Sequence, residues 1–193
     1  METAHVILVL VGSLRKESIN LKFAKALARL APAEYEFRIQ TLGDLPLFNQ
    51  DEEQNPAPSV TALKTAVRQA AGVVFVTPEY NRSIPGVLKN ALDHGSRPYG
   101  DSAWKGKPAA VMGVTGGAAG TAMAQQHLRN ILAYLDMPTL GQPELFLRAD
   151  AEFFDADGGL GKTSSKLIQG WMGKYIEWVE RFAPNNSSQG GNS

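Results

Sequence analysis

The chain has 193 residues, enough for one α/β domain with a full core and short for two compact domains. Its 19 basic and 19 acidic residues balance, which disfavours nucleic acid and membrane surfaces as partners, because proteins that bind either usually carry a basic excess. The absence of cysteine excludes disulfides, thiol nucleophiles and iron–sulfur clusters, and fits a cytoplasmic location. Neither a signal peptide nor a membrane span is expected, since no apolar run is long enough.

Apolar or β-rich runs alternate with segments of helical spacing along the chain. The runs cover 5–11, 35–42, 72–77, 109–115 and, more weakly, 144–148. The helical segments cover 19–31, 59–71, 84–95, 121–136 and 164–182. This alternation requires crossover connections and predicts an α/β fold, a doubly wound three-layer sandwich with helices on both faces of a parallel sheet. The second run alternates polar and apolar residues, which is typical of an edge strand.

The last predicted helix ends close to residue 182. We therefore predict a single domain over residues 1–183. The segment that follows is rich in Asn, Gly and Ser and has no apolar periodicity. Such a composition cannot bury enough apolar surface to order itself, so residues 184–193 are predicted to form a disordered tail.

The first strand ends in the loop GSLRKESIN, residues 12–20, which runs into a helix. The amino end of a helix carries unpaired N–H groups and a positive dipole, and both favour an anion. The loop adds four phosphate-binding side chains, namely Ser13, Arg15, Ser18 and Asn20. It matches neither the dinucleotide-binding nor the Walker A pattern. We predict a phosphate cradle; the alternative is that Ser18 only caps the helix and the cations are solvated.

The third strand ends in the loop TPEYNRSIP at residues 77–85. Ser83 is a candidate cap for the helix that follows. Before it stand Pro78, Glu79, Tyr80 and Asn81. An aromatic ring and an amide at the carboxyl end of a strand suit a flat heteroaromatic ligand, because parallel sheets bind ligands at that edge. The alternative is a capped turn with a packed tyrosine.

The fourth predicted strand ends at Thr115, and Gly116 and Gly117 follow it in the next loop. Glycines let a ligand ring approach the backbone closely, so this loop is a third candidate part of the same site. The alternative is close packing of a helix against the sheet.

Two other features of the sequence are not expected to bind ligands. Residues 156–163, ADGGLGKT, look like the end of a Walker A loop, but the acidic stretch before them would repel a triphosphate. We interpret them as a polar connection in which Thr163 or Ser164 caps the last helix. The three histidines stand far apart without carboxylates at metal spacing, and no metal site is expected.

The loop at 12–20 and the motif TPEYNRSIPGVLKNALDHGSRP at 77–98 together resemble the NAD(P)H-dependent FMN reductase family. Within that family the chain is most similar to the bacterial quinone and chromate reductase branch. The likeness runs from about residue 5 to residue 180. It implies a flavodoxin-like fold with a five-stranded parallel sheet in the order 2-1-3-4-5.

The resemblance also implies which residues hold FMN. The phosphate would be ringed by Ser13, Arg15, Ser18, Asn20 and the backbone of Leu21. The isoalloxazine would be lined by Pro78, Glu79, Tyr80 and Asn81, and its pyrimidine edge would face Thr115, Gly116 and Gly117. Arg97 is a candidate for docking an anionic part of a substrate, with an ordinary surface role as the alternative.

The chemistry implied by the resemblance is a two-electron, ping-pong reduction with FMN as the redox group and no catalytic side chain. NADH or NADPH would be the cosubstrate, and a quinone, free flavin, chromate, an azo dye or a ferric complex would be the small-molecule acceptor. A flavodoxin-type electron carrier stays open as an alternative, although such carriers are usually strongly acidic. A P-loop nucleotide hydrolase would rest on residues 156–163 alone.

Family members commonly form dimers or tetramers, so a homodimer or homotetramer is expected. The helix predicted over 121–136 places Leu128, Ile131, Leu132 and Leu135 on its core face. On another face, Arg129 is a candidate to meet an acid of a partner chain, such as Glu144.

Overall fold

A computed structural model of the chain describes residues 4–183, and the tail predicted over 184–193 lies outside them. Five strands alternate with five α-helices in these residues. The strands are β1 (His5–Val11), β2 (Tyr35–Thr41), β3 (Gly72–Val76), β4 (Ala109–Thr115) and β5 (Phe146–Arg148). The helices are α1 (Ile19–Ala28), α2 (Pro58–Gln69), α3 (Gly86–Ser96), α4 (Ala122–Tyr134) and α5 (Lys162–Glu180). No helix in this part of the chain is long and apolar enough to cross a membrane.

The strands form one parallel sheet in the order β2-β1-β3-β4-β5. This confirms the predicted flavodoxin-like topology, with β2 at an edge. Val11, the last residue of β1, pairs with Thr41 on one side and Val76 on the other. The loops after β1 and β3 therefore leave the sheet side by side. The strand order reverses between these two strands, and such a switch point is where doubly wound sheets bind ligands.

Helices cover both faces of the sheet because β1 is apolar from Val6 onward and β3 is apolar throughout. Alternate residues of β1 enter opposite layers, Ile7 and Val9 on one side and Leu8 and Leu10 on the other. The first layer packs against α1 and α5, and the second against α2, α3 and α4. Such double burial accounts for the nearly continuous apolar runs in the sequence.

Two predicted helix caps are wrong. The N-cap of α3 is Pro85 rather than Ser83, because the backbone of Ser83 is paired with Tyr80 in a turn. The N-cap of α5 is Gly161, and the helix begins at Lys162, before either of the predicted capping residues. Thr163 and Ser164 consequently lie inside α5.

Gly113 lies on β4 where the strand passes the end of β3. A Cβ atom at this position would collide with the backbone oxygen of Thr77 and lie 2.5 Å from Thr121 Oγ1. Because the first contact is with backbone, relief requires the end of β3 to move. We expect Gly113→Ala to lower the free energy of unfolding by about 3 kcal/mol, the upper end for overpacked cores. Urea unfolding followed by circular dichroism measures this change.

Gly173→Ala is the matched control for the Gly113 variant. Gly173 is exposed on α5, and a Cβ atom there would meet nothing within 4 Å. Alanine is the better helix former, so this variant should gain about 0.5–1 kcal/mol of stability. Equal stability of the two variants would show that the packing around Gly113 is loose.

Candidate functional site

The loops that follow β1, β3 and β4 gather at the carboxyl edge of the sheet. The first two border one open cavity of about 450 Å³, which is within the usual range for small-molecule sites. Its walls are Gly12, Leu14, Arg15, Tyr80, Pro85, Gly86 and Val87. Arg15 and Tyr80, predicted from separate stretches of the sequence, thus face the same space.

The first loop delivers hydrogen-bond donors to the amino end of α1. Ser18 is the N-cap, and its Oγ accepts the N–H of Leu21 at 3.2 Å. The N–H groups of Ile19 and Asn20 belong to the first turn and have no partner within the helix. Ser13 is buried and Arg15 is exposed at the cavity. An anion here would meet the helix N–H groups, a guanidinium and the Ser18 hydroxyl proton.

The side chain of Asn20 serves the fold. Its amide nitrogen donates to the backbone oxygen of Val114 at 3.0 Å, and its amide oxygen accepts the N–H of Val114 at 2.9 Å. Strand β3 pairs with β4 only as far as Met112, so these two groups of Val114 need another partner. Asn20, only 1% exposed, supplies it. For a phosphate, Asn20 therefore offers its backbone N–H rather than its side chain.

The second loop folds into a tight two-residue turn. Tyr80 and Ser83 exchange backbone hydrogen bonds of 2.9 and 3.0 Å. Between them, Asn81 (φ 51°) and Arg82 (φ 63°) both adopt the left-handed conformation, as a type I′ turn requires. Asn tolerates this conformation, but Arg rarely adopts it. The turn leaves Tyr80 46% exposed at the mouth of the cavity.

Glu79 directs its carboxylate away from this loop and onto α4. Its Oε2 accepts the N–H groups of Met123 at 3.0 Å and Ala124 at 3.1 Å. The N-cap of α4, Thr121, makes no side-chain capping bond, so Glu79 caps the helix in its place. Glu79 was predicted to line a flat ring. Because its carboxylate is bonded to α4, only its backbone, next to Pro78, is available to such a ligand.

The third loop carries the least bulk. The N–H of Gly117 donates to Thr115 Oγ1 at 3.2 Å, which folds the loop on itself. A Cβ atom at Gly116 would meet nothing within 4 Å, so this residue borders open space. The N–H of Gly116 takes no part in the Thr115 contact and is the better placed of the two to meet a ligand edge.

Arg97 lies apart from the three loops. Its guanidinium pairs with Glu53 at 2.5 Å, a hydrogen bond that raises the pKa of Arg97, and its backbone oxygen accepts the ammonium of Lys64 at 2.5 Å. The two cavities that Arg97 lines contain none of the loop residues described above. Within one chain, Arg97 is therefore not brought to the predicted flavin site.

The loop at residues 156–163, which looks like the end of a Walker A loop, has backbone N–H groups that bond to a carboxylate of the same chain. Asp155 Oδ1 accepts the N–H groups of Asp157 at 3.0 Å and Gly159 at 2.7 Å. These backbone donors are consequently not available to a phosphate. Over residues 4–183, no group of three His, Asp or Glu side chains is arranged to hold a metal ion.

Comparison with known proteins identifies the family. The model of the NADPH-dependent FMN reductases matches residues 6–152. The chain belongs to this family. A 2-hydroxy-1,4-benzoquinone reductase from Burkholderia sp. is 48% identical over 174 residues, 90% of this chain and 95% of the relative. A quinone reductase from Pseudomonas putida is 45% identical over 181 residues, 93% of this chain and 97% of the relative.

A solved structure gives the same answer. FerB, a flavoenzyme NAD(P)H:(acceptor) oxidoreductase from Paracoccus denitrificans, superposes with a TM-score of 0.87 at 40% sequence identity. The match covers 93% of this chain and 99% of FerB. The family predicted from the two loop motifs is thereby confirmed, and with it an oxidoreductase that uses FMN and a reduced nicotinamide.

The residues at the carboxyl edge fit the chemical parts of FMN. The amino end of α1 with Arg15 suits a phosphate dianion, since helix N–H groups and a guanidinium both favour such an anion. The half-exposed ring of Tyr80 offers an aromatic surface to a flat heterocycle. The open space at Gly116 admits a ring edge close to the backbone.

Sequence reasoning missed three contacts that shape this site. They are Glu79 with the start of α4, Asn20 with Val114, and Ser83 with His127. Only Asn20 gave a signal that could have been used. It stands in the same helix as Phe23 and Leu27, and a polar residue among core residues must find a hydrogen-bond partner.

Proposed function

We propose that the protein reduces quinones with electrons from NADH or NADPH through FMN held at the carboxyl edge of the sheet. The observation that carries this proposal is the shared cavity, which joins the cation of Arg15 to the exposed ring of Tyr80. The two quinone reductases, 48% and 45% identical, support a quinone as the acceptor. Free flavin, chromate, azo dyes and ferric complexes are other acceptors that an open site admits.

The side chains in this proposal bind and orient. FMN supplies the redox chemistry when bound, taking a hydride equivalent from the nicotinamide and returning two electrons to the acceptor. Arg15, Ser13, Ser18 and the first-turn N–H groups of α1, Asn20 included, hold the phosphate. The Leu21 N–H, bonded to the Ser18 hydroxyl, fixes that hydroxyl in place.

The ring of FMN is held by the other two loops. Pro78 and the backbone of Glu79 lead into the turn, where Tyr80 and Asn81 would hold the isoalloxazine. The hydrogen bond between Thr115 and Gly117 shapes the third loop, and the N–H of Gly116 would be available to an electron-rich edge of the ring. FMN bound in this open cavity would be accessible first to the nicotinamide and then to the acceptor, which would give a ping-pong order.

Steady-state kinetics of the purified protein tests this function. NADH and NADPH are each combined with a panel of quinones, chromate, an azo dye, free flavin and a ferric complex. Quinones should give the largest kcat/KM, with a hydroquinone as the product. Nicotinamide oxidation that quinones do not accelerate would refute the proposed acceptor, and a one-electron product would favour a flavodoxin-type carrier.

A cytoplasmic location belongs to the same proposal. The chain contains no cysteine, so it needs no oxidising compartment for its stability. The cosubstrate of its family, a reduced nicotinamide, is maintained inside the cell.

We also propose that the protein is a homodimer or homotetramer. Tyr99 is 90% exposed and Tyr134 87% exposed, and both line one surface groove. Large exposed aromatic side chains are typical of interface cores. The pairing suggested between chains forms within one chain instead, since Arg129 Nε lies 3.2 Å from Glu144 Oε1.

Sedimentation velocity at micromolar concentration should give a species of two or four times 20.8 kDa. Tyr134→Ser should shift this species toward the monomer, because it removes the aromatic ring that is proposed to lie in the interface. The control is Leu167→Ser, which removes a 49% exposed side chain from α5 and should leave the assembly unchanged. A wild-type protein that sediments only at 20.8 kDa would refute the oligomer.

A further inference from the structure

Helix α4 contacts the turn of the second loop at both ends of the turn. At the near end, Glu79 Oε2 accepts the N–H groups of Met123 and Ala124. At the far end, the hydroxyl of Ser83 lies 2.6 Å from Nδ1 of His127. The turn that carries Tyr80 and Asn81 is thus fastened to a single helix on both sides.

The turn needs such support because its own conformation is unfavourable. Two consecutive residues without a glycine, Asn81 and Arg82, hold left-handed backbone angles. Strained backbone of this kind persists only where the surroundings fix it. Residues 80–82 are exposed, so core packing does not fix them. Besides the backbone hydrogen bonds between Tyr80 and Ser83, the contacts of the turn with α4 through Glu79 and His127 hold it in place.

The same two contacts link the second loop to the third. Helix α4 begins directly after the loop that holds Gly116, through Thr121, which is itself left-handed at φ 65°. By capping α4, Glu79 sets the spacing between Tyr80 and Gly116. A ligand ring seated against both loops then meets a surface that is already arranged before binding, which lowers the entropic cost of association.

We propose that Glu79 and His127 are positioning residues that hold the turn at residues 80–83 in its flavin-binding conformation. This inference rests on the proposed placement of Tyr80 and Asn81 against the isoalloxazine. Neither side chain needs to touch the flavin, since the Glu79 carboxylate ties one end of the turn to α4 and His127 ties the other end through the Ser83 hydroxyl. Because the turn serves the ring and not the phosphate, disturbing it should weaken FMN and riboflavin by the same factor.

The test uses apo protein, so that it does not depend on turnover. Hydrogen exchange of the Tyr80 and Ser83 amides reports on the paired backbone of the turn. Fluorescence titrations with FMN and with riboflavin report on the ring site. His127→Ala should speed exchange at both amides and weaken both flavins by about 2- to 12-fold, the worth of one hydrogen bond. His127→Asn, which keeps a polar group near Nδ1, should restore much of the loss.

Two further variants sharpen the experiment. Gln126→Ala removes the exposed neighbour of His127, whose amide contacts Glu144 rather than the turn, and should match the wild type in every measurement. Glu79→Gln should weaken both flavins as well. Since Glu79 also caps α4, this variant lowers the apo melting temperature. His127 is exposed and contributes little to global stability, so its variants decide the question.

Unchanged exchange and unchanged affinity for both flavins in His127→Ala would overturn the inference. A loss confined to FMN would also overturn it, because the effect would then act through the phosphate. If the wild-type protein bound neither flavin, the proposed function itself would fail. That result is distinguishable, since it appears before any substitution is made.

Discussion

Arg15→Ala should lower the affinity of the apo protein for FMN by about 10- to 150-fold. This range corresponds to one charge-assisted hydrogen bond of about 1.5–3 kcal/mol. Arg15 is exposed at the shared cavity, close to the amino end of α1, where the phosphate is proposed to lie. The affinity for riboflavin, which lacks the phosphate, should stay unchanged. Quenching of flavin fluorescence during titration measures both dissociation constants.

Lys16→Ala is the control for the Arg15 variant. The two residues are neighbours, both are exposed, and both substitutions remove one positive charge. A solvated surface charge is screened by salt, so Lys16→Ala should change the affinity for FMN by less than about 3-fold. The assignment of the phosphate to this loop would be wrong if the two variants lost the same affinity for FMN. It would also be wrong if Arg15→Ala lost as much affinity for riboflavin as for FMN.

Tyr80→Ala should slow flavin reduction by NADH or NADPH by about 100-fold, or release FMN. Small displacements of reacting groups cost rates of that order, and Tyr80 is proposed to fix the position of the ring. Its side chain is 46% exposed, so its removal should leave the apo melting temperature close to that of the wild type. Stopped-flow reduction and thermal unfolding of the apo protein are measured on the same preparation.

Tyr175→Ala, in contrast to Tyr80→Ala, should strongly lower the apo melting temperature. Tyr175 is fully buried on α5, stacks on Trp171 and donates its hydroxyl to the backbone oxygen of Pro108. Deleting such a ring costs about 3–5 kcal/mol of stability. Suppose that apo Tyr80→Ala instead unfolds at a far lower temperature than the wild type, and that its FMN-loaded fraction is reduced at the wild-type rate. Tyr80 is then a packing residue, and the proposed flavin site is misplaced.

The parallel sheet was accessible from the sequence because burial leaves a pattern in the strands. Strands β1 and β3 are covered on both faces, and each therefore reads as a nearly continuous apolar run. Strand β2 is covered less, and its mixed sequence identified it as an edge. The strand order itself came from the resemblance of two loop motifs. Each of these motifs contributes one residue, Arg15 or Tyr80, to the cavity found in the structure.

Polar contacts across long sequence separations were not accessible in this way. Asn20 bonds to Val114, 94 residues away, and Glu79 bonds to Ala124, 45 residues away. Each contact depends on which backbone groups the folded sheet leaves unpaired, and the local sequence does not encode that. Arg97 shows the converse, because a residue type suited to a substrate is paired with Glu53 once the chain has folded.

One kinetic measurement tests the central claim most directly, that nicotinamide and quinone use the same site in turn. Initial rates are measured anaerobically with NADH or NADPH varied at several fixed concentrations of a benzoquinone, and hydroquinone is counted against nicotinamide consumed. We predict parallel double-reciprocal lines and one hydroquinone for each nicotinamide oxidised. Intersecting lines, or a nicotinamide oxidation rate that is independent of the quinone, would contradict the account.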